Sequence, residues 1–274
     1  MQNVIEKCTE IANQIRIDVI KMTYATGNAG AHIGGGLSMV EIMAVLYGEV
    51  MKLNPDQPQW EERDRFILSK GHGSLTMYAA MKHRGFINDS MLETYKKNET
   101  ELYGHPSMNT SLGIEFSSGS LGQGLSLGVG TCLALRRKEN TSSRVFVLMG
   151  DGECNEGSVW EAALAASHYR LDRLVAIIDK NGLQYDGTTN CVLNMEPFVN
   201  KWEAFGFQTI EVDGHNVEAL YSAMQTYPKH GKPLAIIANT VKGKGISYME
   251  NNPKYHNARL SQKDYENAMV ELGV

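Results

Sequence analysis

Long apolar runs are missing from this 274-residue chain, and Glu6 interrupts any signal-like start. A bilayer-spanning helix needs roughly 18 consecutive apolar residues, so membrane attachment is not expected and a cytoplasmic location is. Basic blocks are missing too. With a formal net charge of -5, nucleic acid is not an expected partner. Cysteine is scarce: Cys8, Cys132, Cys154 and Cys191 form no Cys-x-x-Cys pair and no metal spacing. That pattern excludes a disulfide scaffold and leaves reduced, mostly buried thiols. Proline is equally sparse, at seven residues, and no proline- or serine-rich linker, internal repeat or low-complexity segment divides the chain. A single domain over 1–274 is the expectation.

What is present is an alternation of short apolar runs with amphipathic stretches. Phe66 to Leu68, Val145 to Met149, Leu174 to Ile178, Gln208 to Val212 and Leu234 to Asn239 read as strands. Ile5 to Met22 places Cys8, Ile11, Ala12, Ile15 and Val19 mostly on one helical face, which predicts an opening helix. Leu121 to Arg137 reads as a helix whose small residues, Gly124, Ser126, Gly128, Gly130 and Ala134, permit close packing. Val217 to Tyr227 reads as another. Ser38-Met39-Val40-Glu41 and Ser90-Met91-Leu92-Glu93 match capping boxes, predicting helix starts. The fold class is α/β, with a mainly parallel sheet and helices on both faces.

Two of the predicted strands end in oxygen-bearing residues. The run to Met149 delivers Gly150-Asp151-Gly152-Glu153-Cys154-Asn155-Glu156-Gly157, and the run to Ile178 delivers Asp179-Lys180-Asn181-Gly182. Open α/β sheets bind ligands at that carboxyl edge. Magnesium takes near-octahedral oxygen ligation, commonly from one or two protein groups plus phosphate and water. Asp151, Asn181 and a backbone carbonyl near Leu183 suit the protein half, and calcium or manganese could replace magnesium. Gly150 and Gly152 let the backbone approach a diphosphate, while nearby helix N-termini supply N–H donors. Cys154 lies beside this loop, where a small side chain explains it at least as well as a catalytic thiol does. Lys242-Gly243-Lys244-Gly245 lacks the spacing of a Walker phosphate loop and reads as shaping the approach to His256.

Gly-Asp-Gly followed at this distance by Asp-x-Asn-Gly resembles the thiamine diphosphate motif. The chain is more narrowly similar to the transketolase family, through Gly30-Ala31-His32-Ile33-Gly34-Gly35, Ser69-Lys70-Gly71-His72-Gly73, Tyr103-Gly104-His105-Pro106, Gly119-Ser120-Leu121-Gly122-Gln123-Gly124, Trp160-Glu161-Ala162 and Asp213-Gly214-His215. The resemblance covers nearly the whole chain, as the N-terminal, diphosphate-binding half of a transketolase. It implies a diphosphate-binding (PP-type) fold that holds thiamine diphosphate and magnesium. It implies transfer of a two-carbon ketol (glycolaldehyde) unit from a ketose phosphate to an aldose, with the cofactor as electron sink. By the same resemblance His32, His72, His105 and His256 ring the reactive centre, and His72, Gly119 and Leu121 contact the cofactor. An imidazole suits proton transfer because its pKa lies near working pH. By the resemblance Glu156 counts among the cofactor-binding residues and matches a family glutamate near the subunit interface; alternatively it is a first-turn acid favoured by the helix dipole. His83, His168, His215 and His230 are left as structural or surface residues, His215 as one that steadies a neighbouring loop.

The resemblance places the pyrimidine-binding and C-terminal domains, with the activating glutamate, on a separate partner subunit. An α2β2 heterotetramer acting on sugar phosphates is the corresponding expectation. A 2-oxo acid dehydrogenase or deoxyxylulose phosphate synthase subunit would share Asp151 and Asn181, but not the histidine set. A non-catalytic regulatory subunit is the alternative from another class.

Overall fold

The computed structural model describes residues 1–140, 142–228 and 230–274. Strands β1 (Arg65–Leu68), β2 (Val145–Gly150), β3 (Leu174–Lys180), β4 (Gln208–Asp213) and β5 (Leu234–Asn239) pair in parallel in the order β1-β2-β3-β5-β4. Parallel neighbours need crossovers that pack on the sheet faces, so every inner strand is buried on both sides. Its side chains then sort by parity. Phe146 and Leu148 of β2 join one core with Val175, Ile177, Leu234 and Ile236, whereas Val145, Val147 and Met149 join a second core with Leu174, Ala176 and Ile178. Edge strand β4 carries Glu211 and Asp213 and stays half exposed, as a strand with one unpaired side must.

The helices are α1 (Gln2–Ala25), α2 (Ile33–Leu37), α3 (Val40–Val45), α4 (Ser74–Arg84), α5 (Asp89–Leu92), α6 (Gly124–Arg137), α7 (Gly157–His168), α8 (Thr189–Leu193), α9 (Phe198–Ala204), α10 (Val217–Met224) and α11 (Gln262–Glu271). The first core takes the apolar faces of α1, α3, α4 and α10, and the second those of α6, α7 and α9. The α/β class, the parallel sheet and the two helical layers thus match the reading of the sequence. No helix among the described residues is long and apolar enough to cross a membrane.

Four local expectations are corrected. Ser38 and Glu41 form no capping box: Met39 occupies the N-cap of α3 without a side-chain bond. The Ser38 hydroxyl donates to Asp179, and Glu41 binds Arg16 and His215. At α5 the cap is Asn88, whose side chain accepts from the Met91 amide at 2.9 Å, and Ser90 donates to that same oxygen. The helix read from Leu121 begins at Gly124, because Gly122 takes a left-handed φ of 80° that no helix can include. Within α6 only part of the small-residue run serves close packing. A Cβ on Gly128 would stand 2.6 Å from Val147, while one on Gly130 would meet nothing within 4 Å.

Candidate active site

The loops leaving β1, β2, β3 and β5 meet at the carboxyl edge of the sheet around an open cleft of about 590 Å3. The four clustered histidines and the candidate cofactor and metal residues all line it. His32, His72, His105 and His256 line it together with Gly119, Leu121, Gly150, Asp151, Gly152, Glu156, Asn181 and Leu183.

Each histidine is delivered by a local device that the sequence encodes. Ala31 and Ala258 form an isolated antiparallel bridge, with both N–H···O bonds at 2.9 Å, and this draws the His32 loop onto the His256 loop. Gly30 makes the bridge possible: it holds φ 59°, and a Cβ there would stand 2.8 Å from the Ala258 carbonyl oxygen. His72 follows β1 in a tight turn whose glycines admit close neighbours. A Cβ on Gly71 would lie 2.6 Å from the Ser118 hydroxyl, and one on Gly73 2.8 Å from the Met39 sulfur. His105 is held near Gly119 by the bond from the Ser118 amide to the Pro106 carbonyl, 3.0 Å. The ring centroid of His32 lies 5.7 Å from that of His72, 5.5 Å from His105 and 5.5 Å from His256, so four segments scattered along the chain form one imidazole cluster.

All four imidazoles are held neutral. Burial, reinforced by His105, Lys96 and Lys242, pushes His32 down to about 4, and burial with Lys242 and His32 brings His256 to about 4. Burial and then Lys70 lower His72 well below the usual value, and burial with Lys96 lowers His105. A neutral imidazole has one donor and one acceptor nitrogen, as hydroxyl recognition and proton transfer require. The consequence for stability has a definite sign. Between pH 6.5 and about 4 the unfolded chain binds protons at His32 and His256 that the folded chain refuses. This contribution is fully present above pH 6.5 and is lost as the pH falls toward 4. Asp151, raised in the fold, acts in the opposite sense. Thermal melts of the chain over this window are expected to show a fall that flattens in a His32→Gln/His256→Gln double variant; an unchanged slope would contradict the neutral cluster.

Asp151, in the same lining, is 5% exposed, and its Oδ2 accepts from the Gly182 amide at 2.9 Å. No cationic side chain among the described residues pairs with it directly. Burial, followed by the neighbouring Asp179, pushes its carboxyl up to about 6. A buried acid so poorly compensated is a site that a cation would stabilise. Asn181 and the Leu183 carbonyl follow from the adjacent strand, and a Cβ on Gly150 would meet nothing within 4 Å, which leaves room for a close backbone approach. Carboxylate, amide oxygen and carbonyl oxygen make a hard, oxygen-only donor set, which fits magnesium.

Asp179 departs from expectation. It does not reach the cleft as a free oxygen ligand but is fully buried, paired with Lys70, which is itself 1% exposed. Ser38 donates to it at 2.6 Å, Thr240 donates to its other oxygen, and Lys70 also donates to the Gly35 carbonyl at 2.8 Å. Although burial raises Asp179, Lys70 and these donors hold it below the usual carboxylate range. The pair fastens the loops after β1, β3 and β5 together beneath the cleft. Glu153 does similar work for the β2 loop, accepting from Ser69, from the Gly122 amide at 2.8 Å and from the Gly150 amide at 3.1 Å.

Lys242 was missed by sequence reasoning. Its ammonium donates to the Leu183 carbonyl at 3.0 Å and lies 2.9 Å from His256 Nδ1, linking those two segments. Burial, then Lys70, bring it down to about 8. A lysine beside a glycine-rich turn reads as loop chemistry, and the available signal was its place just past the end of a buried strand. Cys154 is fully buried with its thiol pushed well up by burial, Glu153 and Asp151, so it is no nucleophile. Cys8 and Cys132 are also buried and free, and Cys191 is exposed. His83 bonds Asp18 at 3.0 Å, and His168 packs on Tyr169.

Residues 7–274 match the family described as transketolase, thiamine diphosphate binding domain. The chain is 41% identical over 242 residues to the 6-deoxy-6-sulfo-D-fructose transketolase subunit SqwG of Clostridium sp. strain MSTE9, covering 88% of each. It is 40% identical to an apulose-4-phosphate transketolase subunit from Actinobacillus succinogenes, covering 95% of this chain and 94% of that one. Among solved structures, transketolase from Leishmania mexicana superimposes with a TM-score of 0.86 at 31% identity, over 97% of this chain and 41% of that chain. The chain thus spans about two fifths of such a transketolase and nearly the whole of the subunit-type relatives. By sequence and by fold, the chain belongs to the transketolase family, as its thiamine diphosphate-binding, N-terminal part.

Proposed function

We propose that this chain, folded as one domain, is the cofactor-binding subunit of a two-chain transketolase that moves a two-carbon ketol unit from a ketose to an aldose. The observation that carries the reading is the convergence of four neutral imidazoles and one undercompensated carboxylate on a single cleft. Thiamine diphosphate, when bound, supplies the electron sink that such a carbon–carbon cleavage needs. Asp151, Asn181 and the Leu183 carbonyl would hold magnesium, with Gly150 and Gly152 against the diphosphate and Gly119 and Leu121 along the rest of the cofactor. The ammonium of Lys242 adds positive charge beside the Leu183 carbonyl. His32, His72, His105 and His256 orient the substrate hydroxyls and take or return protons there.

An incomplete cleft supports the partner. Leu121, Tyr185, Val192 and Leu193, all lining it, are 37%, 72%, 42% and 55% exposed. An apolar rim of this kind marks a surface that another chain covers. We assign that place to a polypeptide carrying the pyrimidine-binding domain and the activating glutamate, with Glu156, exposed at the head of α7, at the contact. The names of the subunit-type relatives favour a ketose with a terminal anion, phosphate or sulfonate, as donor. The test is ketol transfer by the chain alone and after reconstitution with a partner identified by native pull-down. Turnover is expected only in the complex, and a chain that turns over alone would refute the split assignment.

A further inference from the structure

His215 lies outside the cleft, yet its ring is built into the support of Lys242. The histidine follows β4 in the turn Asp213-Gly214-His215, and its Nε2 lies 2.8 Å from the Val241 backbone nitrogen. A backbone N–H can only donate, so Nε2 is the unprotonated acceptor and the ring proton sits on Nδ1. Nδ1 in turn lies 3.0 Å from Glu41 Oε2, an acceptor, which completes a consistent tautomer. The other Glu41 oxygen binds Arg16, whose Nε donates to the Lys244 carbonyl at 3.2 Å. Arg16, Glu41 and His215 have side chains 7%, 10% and 13% exposed, so the relay is shielded from water. Its two ends grip one segment, at Val241 and at Lys244, on either side of Lys242. Gly245 accommodates the grip: at φ 91°, a Cβ there would stand 2.5 Å from the Arg16 Nε.

We propose that His215 is a positioning residue, holding the Val241 amide so that the Lys242 ammonium spans the Leu183 carbonyl and His256 at the cofactor's diphosphate. The proposal rests on the functional reading above. The acceptor role toward Val241, rather than the donor role toward Glu41, is the one that positions Lys242, and two amide side chains separate them. In His215→Gln the side-chain oxygen reaches the Nε2 position and still accepts from Val241. In His215→Asn the side-chain nitrogen stands near Nδ1 and still donates to Glu41, but Val241 loses its acceptor.

The test is hydrogen exchange of the 240–245 amides in the intact chain, combined with calorimetric titration of thiamine diphosphate and magnesium. For His215→Asn we expect exchange at Val241 to accelerate and cofactor affinity to fall about tenfold, the usual effect of stranding one buried donor. His215→Gln is expected to stay within about threefold of the parent in both. Equal loss in the two variants, or loss in His215→Gln alone, would overturn the proposal, as would a fall in melting temperature with no change at Val241. Should the unmodified chain bind no thiamine diphosphate either alone or with its partner, the functional reading fails while the exchange comparison still decides the role of His215.

Discussion

Asp151→Asn is expected to weaken magnesium-dependent binding of thiamine diphosphate by about a hundredfold or more, while the metal-free variant melts no lower than the parent. Even supporting groups at metal sites are worth roughly ten- to a hundredfold, so removing the only anionic donor of the set should cost at least the upper figure. Stability moves the other way because the fold gains little from this carboxylate. It is buried, its carboxyl is pushed up to about 6 by burial and by Asp179, and among the described residues its only close partners are backbone amides. Asparagine keeps an oxygen for the Gly182 amide and removes the charge. A stability maintained or raised against an affinity lost is the signature of a residue kept for function. Calorimetric titration beside a thermal melt reads both; unchanged affinity would sink the metal assignment.

Lys70→Met is expected to behave in the opposite manner. The ammonium is 1% exposed against an Asp179 that is fully buried, and Lys70 is the only cation paired with it among the described residues. Removing one partner of a buried pair strands the other charge, at a cost of about 3–5 kcal/mol. For a chain of this size that lowers the melting temperature by roughly 10 °C, with the effect visible before any cofactor is added. A double variant with Asp179→Asn should recover much of the loss, since the stranded charge is then gone. Equal melting of Lys70→Met and parent would show that the pair does not hold the loops together.

These two residues also show where reading the sequence stops. Asp151 and Asp179 both stand at or just past the end of a buried strand, and both look like oxygen ligands at a sheet edge. What separates them is Lys70, 109 positions away from Asp179, whose side chain the topology brings beneath the cleft. No local pattern announces that pairing. The same cause undid the capping box at Ser38 and Glu41, because tertiary partners took both side chains: Asp179 for one, and Arg16 with His215 for the other. The strands were legible because a parallel sheet buries its inner strands on both faces and so demands uninterrupted apolar runs. Glycine-bracketed motifs were legible for a related reason. At Gly30 and Gly71 a side chain would strike a neighbouring backbone or hydroxyl, so the glycine marks where two segments meet. Lys242 carries no such mark, and its role emerges only from its distances to Leu183 and His256.

Direct binding of the cofactor's tail tests the central claim most sharply. Thiamine diphosphate and free thiamine should be titrated calorimetrically into the intact chain with magnesium, again after chelation, and in competition with a nucleoside diphosphate. The expected result is saturable binding of thiamine diphosphate that disappears on chelation, no comparable binding of free thiamine, and no displacement by the nucleotide. Binding indifferent to magnesium, or nucleotide binding of equal strength, would contradict the assignment of this cleft.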